Sequence, residues 1–111
     1  MKICVIEDDY LLSKVVCHFC EKERYEVIKY FDGLEAFNSL EEGLADLYFL
    51  DINLPNVDGI EILKQIRKLD KNVPVIVITA SIEMEILEEA FLYGCDEYIK
   101  KPFDLITYQM L

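Results

Sequence analysis

Backbone breakers are scarce in this sequence, with four glycines and three prolines among 111 residues and no low-complexity stretch. With 53% apolar and 30% charged residues, that scarcity excludes a disordered chain and leaves enough apolar surface for one real core. At this length one domain is expected, residues 1–111, with no room for a second globular unit among them. Positive charge is also in short supply. Eleven Lys and Arg face twenty-two Asp and Glu, a formal charge of −11, which repels a phosphate backbone and argues against direct nucleic-acid binding. Long apolar runs are missing too: Val73 to Ala80 and Leu47 to Leu50 fall far short of the roughly 20 residues a bilayer requires. The opening Met1-Lys2-Ile3-Cys4-Val5-Ile6 meets an acid at Glu7 before a signal-peptide core can form. A cytoplasmic, unprocessed protein without membrane contact is therefore expected.

Cysteines number four, at positions 4, 17, 20 and 95. Without an export signal a disulfide framework is excluded on redox grounds. Cys17-His18-Phe19-Cys20 is formally a Cys-x-x-Cys, but no second ligand pair stands at a zinc-like spacing, so these cysteines are expected to be small apolar helix residues.

What the sequence does contain is an alternation of buried strands and amphipathic helices. Lys2 to Ile6, Glu26 to Tyr30, Asp46 to Leu50, Val73 to Thr79 and Glu97 to Lys100 are short apolar segments between polar or Gly/Pro breaks, and read as strands. Leu12, Val15, Val16 and Phe19 form a helical stripe, repeated by Ile62, Leu63, Ile66 and Leu69 and by Ile86, Leu87, Ala90 and Phe91. Leu34, Phe37 and Leu40 mark a shorter helix with Gly33 before it and Gly43 at its end, and a last helix starts near Phe103 to Leu105. Five β-α units in one domain imply an α/β, doubly wound parallel sheet covered on both faces. The unbroken apolar runs Ile3 to Ile6 and Val75 to Ile78 should lie inside it.

In such sheets ligands sit beyond the carboxyl ends of the strands. There the chain places Glu7, Asp8 and Asp9 after the first strand, Asp51 and Asn53 after the third, Thr79 at the end of the fourth and Lys101-Pro102 after the fifth. The second offers only Phe31-Asp32-Gly33. Asp9 and Asp58, taken singly, read best as solvated loop acids or helix N-caps. Two carboxylates ~5 Å apart at an effective dielectric of ~20 repel by about 3 kcal/mol, so converging Glu7, Asp8 and Asp51 calls for a cation. Mg²⁺ suits one or two carboxylates plus a carbonyl, with Mn²⁺ as a substitute, and Lys101 adds fixed positive charge. The constellation fits phosphoryl transfer: Asp51 as nucleophile, Lys101 and the metal neutralising oxygens, Thr79 donating to one of them.

From Lys2 to Leu111 the sequence resembles the response-regulator receiver domains of two-component signalling. The likeness is carried by Val5-Ile6-Glu7-Asp8, by Leu50-Asp51-Ile52-Asn53-Leu54-Pro55-Asn56-Val57-Asp58-Gly59, by Ile78-Thr79-Ala80, by Gly94-Cys95-Asp96-Glu97-Tyr98 and by Ile99-Lys100-Lys101-Pro102-Phe103. The resemblance implies a flavodoxin-like (βα)5 fold with strand order 2-1-3-4-5 and Asp51 as phosphoacceptor. It implies direct metal ligation by Asp8, Asp51 and the Asn53 main-chain oxygen, with Glu7 acting through metal-bound water. Lys101, which precedes Pro102, takes the matching lysine's role in place of Lys100, and the Lys101-Pro102 peptide is expected to be cis. Thr79 and Tyr98 match the switch pair, and Asn53 and Ser81 the positions that tune phosphoryl-group lifetime.

The partners so implied are a sensor histidine kinase or phosphotransfer protein, and a homodimer through the fourth helix, fifth strand and fifth helix. Leu87, Tyr93, Thr107 and Leu111 stand where regulators with a winged-helix output carry charged residues. Arg24 stands near where a glycine often ends the first helix. The last helix is shorter than the family's, which suggests a longer regulator with an output domain, such as a DNA-binding one, beyond residue 111; the alternative is a stand-alone phosphorelay protein. A flavin mononucleotide carrier shares the topology, but Glu7-Asp8-Asp9 would repel its phosphate. An aspartate-based phosphohydrolase would carry its nucleophile at the first strand end.

Overall fold

The computed structural model describes residues 1–54, 56–80 and 83–101. Its elements run β1 (Lys2–Ile6), α1 (Tyr10–Lys22), β2 (Glu26–Tyr30), α2 (Gly33–Ser39), β3 (Leu47–Asp51), α3 (Gly59–Leu69), β4 (Val75–Thr79), α4 (Met84–Leu92) and β5 (Glu97–Lys100). The last helix, the Lys101-Pro102 peptide and Ser81 lie outside the described residues.

The five strands form one sheet in the order β2-β1-β3-β4-β5, and every neighbouring pair is parallel. β1 and β4 are interior strands, as their unbroken apolar runs require, because successive side chains feed opposite faces of the sheet. Ile3 and Val5 join Val16, Cys17, Cys20 and Ile99 on the α1 side. Cys4 and Ile6 face the other way, with Leu50, Ala36, Ile62, Leu63, Ile66 and Ala90 of β3, α2, α3 and α4. Each fully buried Val, Leu or Ile contributes roughly 1.5–3 kcal/mol relative to exposure, so the two layers together hold the strand ends in place.

Several boundaries and faces differ from the sequence reading. β3 starts at Leu47 and includes Asp51, and β4 starts only at Val75, after Pro74, which has no N–H to donate to the ladder. The buried face of α1 is Ser13, Val16, Cys17 and Cys20, while Val15 is 38% exposed. Val16 is common to this face and to the expected stripe Leu12, Val15, Val16 and Phe19, and Leu12 packs half-buried against the core. The cysteines of the Cys-x-x-Cys are thus free and buried in the core. In α2, Gly33 and Ala36 are buried while Leu34 is half exposed, and the helix ends at Ser39, with Gly43 in a later turn at φ +77°. Phe91 of α4 is likewise exposed at 46%. Arg24 closes α1 in the left-handed region at φ 65°, where a glycine would be unstrained.

Candidate functional site

Each site residue is fixed by the end of a strand. The Glu7 amide donates to the Tyr30 carbonyl at 3.1 Å, extending β1 by one residue and drawing the Glu7 side chain into the interior, where it is fully buried. Asp8 follows and is exposed, and Asp9 caps α1 by accepting from the Leu12 amide at 3.1 Å. Asp58 caps α3 in the same way through the Ile60 amide. Asp51 ends β3 and Thr79 ends β4, each 1% exposed. The Lys101 amide donates to the Thr79 carbonyl at 2.8 Å, which carries β5 one residue past its end and aims the lysine back over the sheet.

The lysine reaches two carboxylates. Its Nζ donates to Glu7 Oε1 at 2.7 Å and to Asp51 Oδ2 at 3.1 Å. Glu7 Oε1 also accepts from the Asp9 amide at 3.0 Å, and Asp51 Oδ1 from the Asn53 amide at 2.9 Å. Asn53 Nδ2 lies 3.4 Å from Thr79 Oγ1, so the loop after β3 is tied to the end of β4. Lys101, and not Lys100, therefore stands between the acids. Tyr98 is 42% exposed and packs edge-on to Phe91 at a centroid distance of 6.2 Å.

One carboxylate oxygen from each of Glu7, Asp8 and Asp51 lies within 4.8 Å of the others. Glu7 Oε2 is buried and lacks a hydrogen-bond partner, so Lys101 does not complete the neutralisation of the cluster. Three hard oxygen donors with an orphaned buried oxygen fit a divalent cation of the Mg²⁺ class. The pKa directions agree. Burial pushes the Glu7 carboxyl up to about 7, against the lowering effect of its Lys101 hydrogen bond, and the Asp51 charge pushes it further the same way. Burial and then the neighbouring Asp51 raise Asp8 above the usual aspartate value. Burial works against the Lys101 ammonium, yet its Glu7 hydrogen bond and the Asp51 and Glu7 charges hold its pKa above the ordinary lysine value.

These directions give a pH dependence. Folded Glu7 holds its proton to about pH 7, whereas the unfolded chain releases it near 4.5. Between those values the folded state binds more protons, so stability falls as pH rises through the window. Asp8 acts in the same direction and Lys101 stays charged throughout. In metal-free buffer the melting temperature should be lower at pH 8 than at pH 5.5, and Glu7→Gln should flatten the slope. A wild-type melting temperature that rises across this range would contradict the burial of an ionisable Glu7.

Two supports were not legible as site residues. An added Cβ at Gly59 would lie 2.5 Å from Ile52 Cα and 2.7 Å from the Asp51 carbonyl oxygen, and the Gly59 amide donates to the Ile52 carbonyl at 3.2 Å. The start of α3 is thus pressed against the end of β3. At the second strand end, which offers no chemistry, Asp32 caps α2 and accepts from Asn56 Nδ2 at 3.4 Å, bracing the β3–α3 loop. Asn56 itself lies in the left-handed region at φ 70°.

With this geometry in hand, a family model described as "Response regulator receiver domain" matches residues 3–108. The chain is 42% identical over 105 residues to the transcriptional regulatory protein CrdR of Helicobacter pylori, covering 94% of this chain and 49% of that one. It is 34% identical over 104 residues to sporulation initiation phosphotransferase F of Bacillus subtilis, covering 94% and 84%. The chain thus spans about half the length of the first of these curated relatives. Among solved structures, the non-phosphorylated HemR receiver domain from Leptospira biflexa aligns with a TM-score of 0.89 at 29% identity, covering 98% and 88%. The receiver domain of a Pseudomonas aeruginosa sensor histidine kinase, with a magnesium ion coordinated in its active-site cleft, aligns at 0.82 and 28% identity, covering 98% and 91%.

Proposed function

The chain belongs to the response regulator receiver domain family, and on that premise we propose that Asp51 accepts a phosphoryl group and that its arrival resets the surface around Tyr98. The observation that carries this reading is the Lys101 ammonium held 2.7 Å from Glu7 and 3.1 Å from Asp51, with Asp8 beside them. In the reaction an Asp51 oxygen bonds to phosphorus while the bond from phosphorus to the donor breaks, and the donor keeps that electron pair. Lys101 neutralises the charge brought to Asp51 and pairs with a phosphoryl oxygen in place of a carboxylate one. The Thr79 hydroxyl donates to a second oxygen.

Asp8, Asp51 and the Asn53 main-chain oxygen would hold Mg²⁺, or Mn²⁺ in its place, with Glu7 acting through a bound water. When bound, the cation supplies neutralisation of the phosphoryl oxygens. Phosphorylation adds about −1.5 to −2 charge and three acceptor oxygens beside Lys101 and Thr79. Thr79 follows the new acceptor and Tyr98 turns inward behind it; the exposed ring against Phe91 is the resting arrangement in this reading. Moving such an equilibrium from 1:99 to 99:1 takes ~5.5 kcal/mol, so a partial shift without phosphate is expected. Asn53 and Ser81 set the access of hydrolytic water.

The donor is a sensor histidine kinase or a phosphotransfer protein, in the cytoplasm, and a homodimer forms through α4, β5 and the last helix. The output is transcriptional control through a separate DNA-binding domain, by analogy with CrdR. A second reading is a phosphorelay carrier that passes the phosphoryl group on to another protein, in keeping with the name of the sporulation initiation phosphotransferase. Intact-protein mass after incubation with acetyl phosphate and Mg²⁺ tests the chemistry. A gain of about 80 Da, the mass of one phosphoryl group, is expected and should vanish with EDTA. Turnover without an adduct would indicate a hydrolase, and neither result would fit a flavin carrier.

A further inference from the structure

Asn53 makes a hydrogen bond from its main chain and another from its side chain, and the two run to different strand ends. Its main-chain amide donates to Asp51 Oδ1 at 2.9 Å, and its side-chain Nδ2 donates to Thr79 Oγ1 at 3.4 Å. The sheet register brings these groups together. Asp51 stands opposite Ile78 in the parallel pairing of β3 with β4, and the Ile52 amide continues the ladder by donating to the Ile78 carbonyl at 3.1 Å, which carries Asn53 alongside the end of β4. One residue thus spans the carboxylate and the hydroxyl. Asn53 is exposed whereas Asp51 and Thr79 are buried, so these bonds, rather than packing, orient its side chain.

The polarity of the second bond matters. A threonine hydroxyl has one proton and two acceptor lone pairs, and the nitrogen of a side-chain amide only donates. With Asn53 Nδ2 on one lone pair, the Thr79 proton points away from Asn53, and a hydroxyl that already accepts is polarised toward donating. A separation of 3.4 Å is long for N–H···O, and hydrogen bonds of this kind tighten when charge develops at the reacting group. We infer that Asn53 is a positioning residue for phosphoryl transfer, its side-chain amide orienting and polarising the Thr79 hydroxyl toward an oxygen of the incoming phosphoryl group. This rests on the phosphoacceptor reading of Asp51 for the reaction, and on the Asn53–Thr79 contact for the positioning. No covalent bond at Thr79 changes: the hydroxyl keeps its proton and gains an acceptor. An Asn53 that only governed the access of water would act without regard to the Thr79 hydroxyl, whereas a positioning Asn53 acts through it.

A double-mutant comparison isolates that dependence. Asn53→Leu keeps the size of the side chain and removes the amide, Thr79→Val keeps the shape and removes the hydroxyl, and Thr79→Ser retains a hydroxyl. In acetyl phosphate and Mg²⁺, Asn53→Leu should slow adduct formation about tenfold in the wild-type and Thr79→Ser backgrounds, and by less than about twofold in Thr79→Val. Equal slowing in all three backgrounds would overturn the positioning role, as would slowing of less than about twofold in the wild-type background. A spectroscopic reading needs neither metal nor phosphate. In the unphosphorylated, metal-free protein the Asn53 side-chain amide resonance should shift in Thr79→Val and stay near its wild-type position in Thr79→Ser; a resonance unmoved in Thr79→Val would show that the amide does not engage the hydroxyl and would overturn the inference. A wild type that gains no phosphoryl mass would overturn the phosphoacceptor reading itself, a result distinct from an adduct that forms equally fast with and without the amide.

Discussion

Asp51→Asn should gain no mass in acetyl phosphate and Mg²⁺, and Asp8→Asn should gain it at least about a hundredfold more slowly than wild type, although it keeps both Asp51 and Lys101. The two failures have different origins. In Asp51→Asn the nucleophilic oxygen is gone, while Lys101 keeps its 2.7 Å bond to Glu7. In Asp8→Asn the nucleophile remains, but the cluster loses one of the three carboxylates that lie within 4.8 Å of one another. That loss also relieves repulsion, since burial and the Asp51 charge both disfavour the Asp8 anion. Asp8→Asn should therefore melt a few degrees higher than wild type in metal-free buffer, and added Mg²⁺ should raise the wild-type melting temperature more than the variant's. Intact mass and melting curves with and without Mg²⁺ check both halves. An unchanged reaction rate in Asp8→Asn would remove that carboxylate from the site.

Gly59→Ala is the substitution expected to damage the fold most for the fewest atoms added. The new methyl would meet backbone on three sides, at 2.5 Å from Ile52 Cα and 2.7 Å from the carbonyl oxygens of Asp51 and Ile52. No side chain can rotate away from such a contact, so α3 must lift off the end of β3 or the strand must bend. Overpacking of this kind costs about 2–3 kcal/mol, which for a domain of this size lowers the melting temperature by roughly 10–20 °C. The displaced atoms belong to Asp51 and its neighbour, so adduct formation measured well below the melting temperature should also slow. Thermal melting together with the acetyl phosphate rate checks this. A variant that melts within about 3 °C of wild type would show that the helix start yields without disturbing β3.

The sheet and the strand-end residues were legible because they follow from local patterns. Unbroken apolar runs gave β1 and β4 their interior places, and polar residues just after apolar strands named Glu7, Asp51, Thr79 and Lys101. Periodicity located α1 and its buried Val16 but not the rest of its buried face, because hydrophobicity ranks Leu12 and Val15 above Ser13, Cys17 and Cys20. The bracing of the site was not legible at all. Gly59 against Ile52 and Asn56 against Asp32 are contacts between residues 7 and 24 positions apart, whose partners only the folded chain brings together.

The four buried thiols divide between the two layers that sandwich the sheet. Cys4 and Cys95 lie on the side of α2, α3 and α4, and Cys17 and Cys20 on the α1 side. Burial holds the Cys4 thiol up at about 12 and the Cys20 and Cys95 thiols at about 11, so each is both shielded and unreactive in the closed structure. Alkylation then becomes a native clock for breathing of the molecule, with no label to introduce. The order in which the cysteines are modified tells which half of the sandwich parts from the strands first.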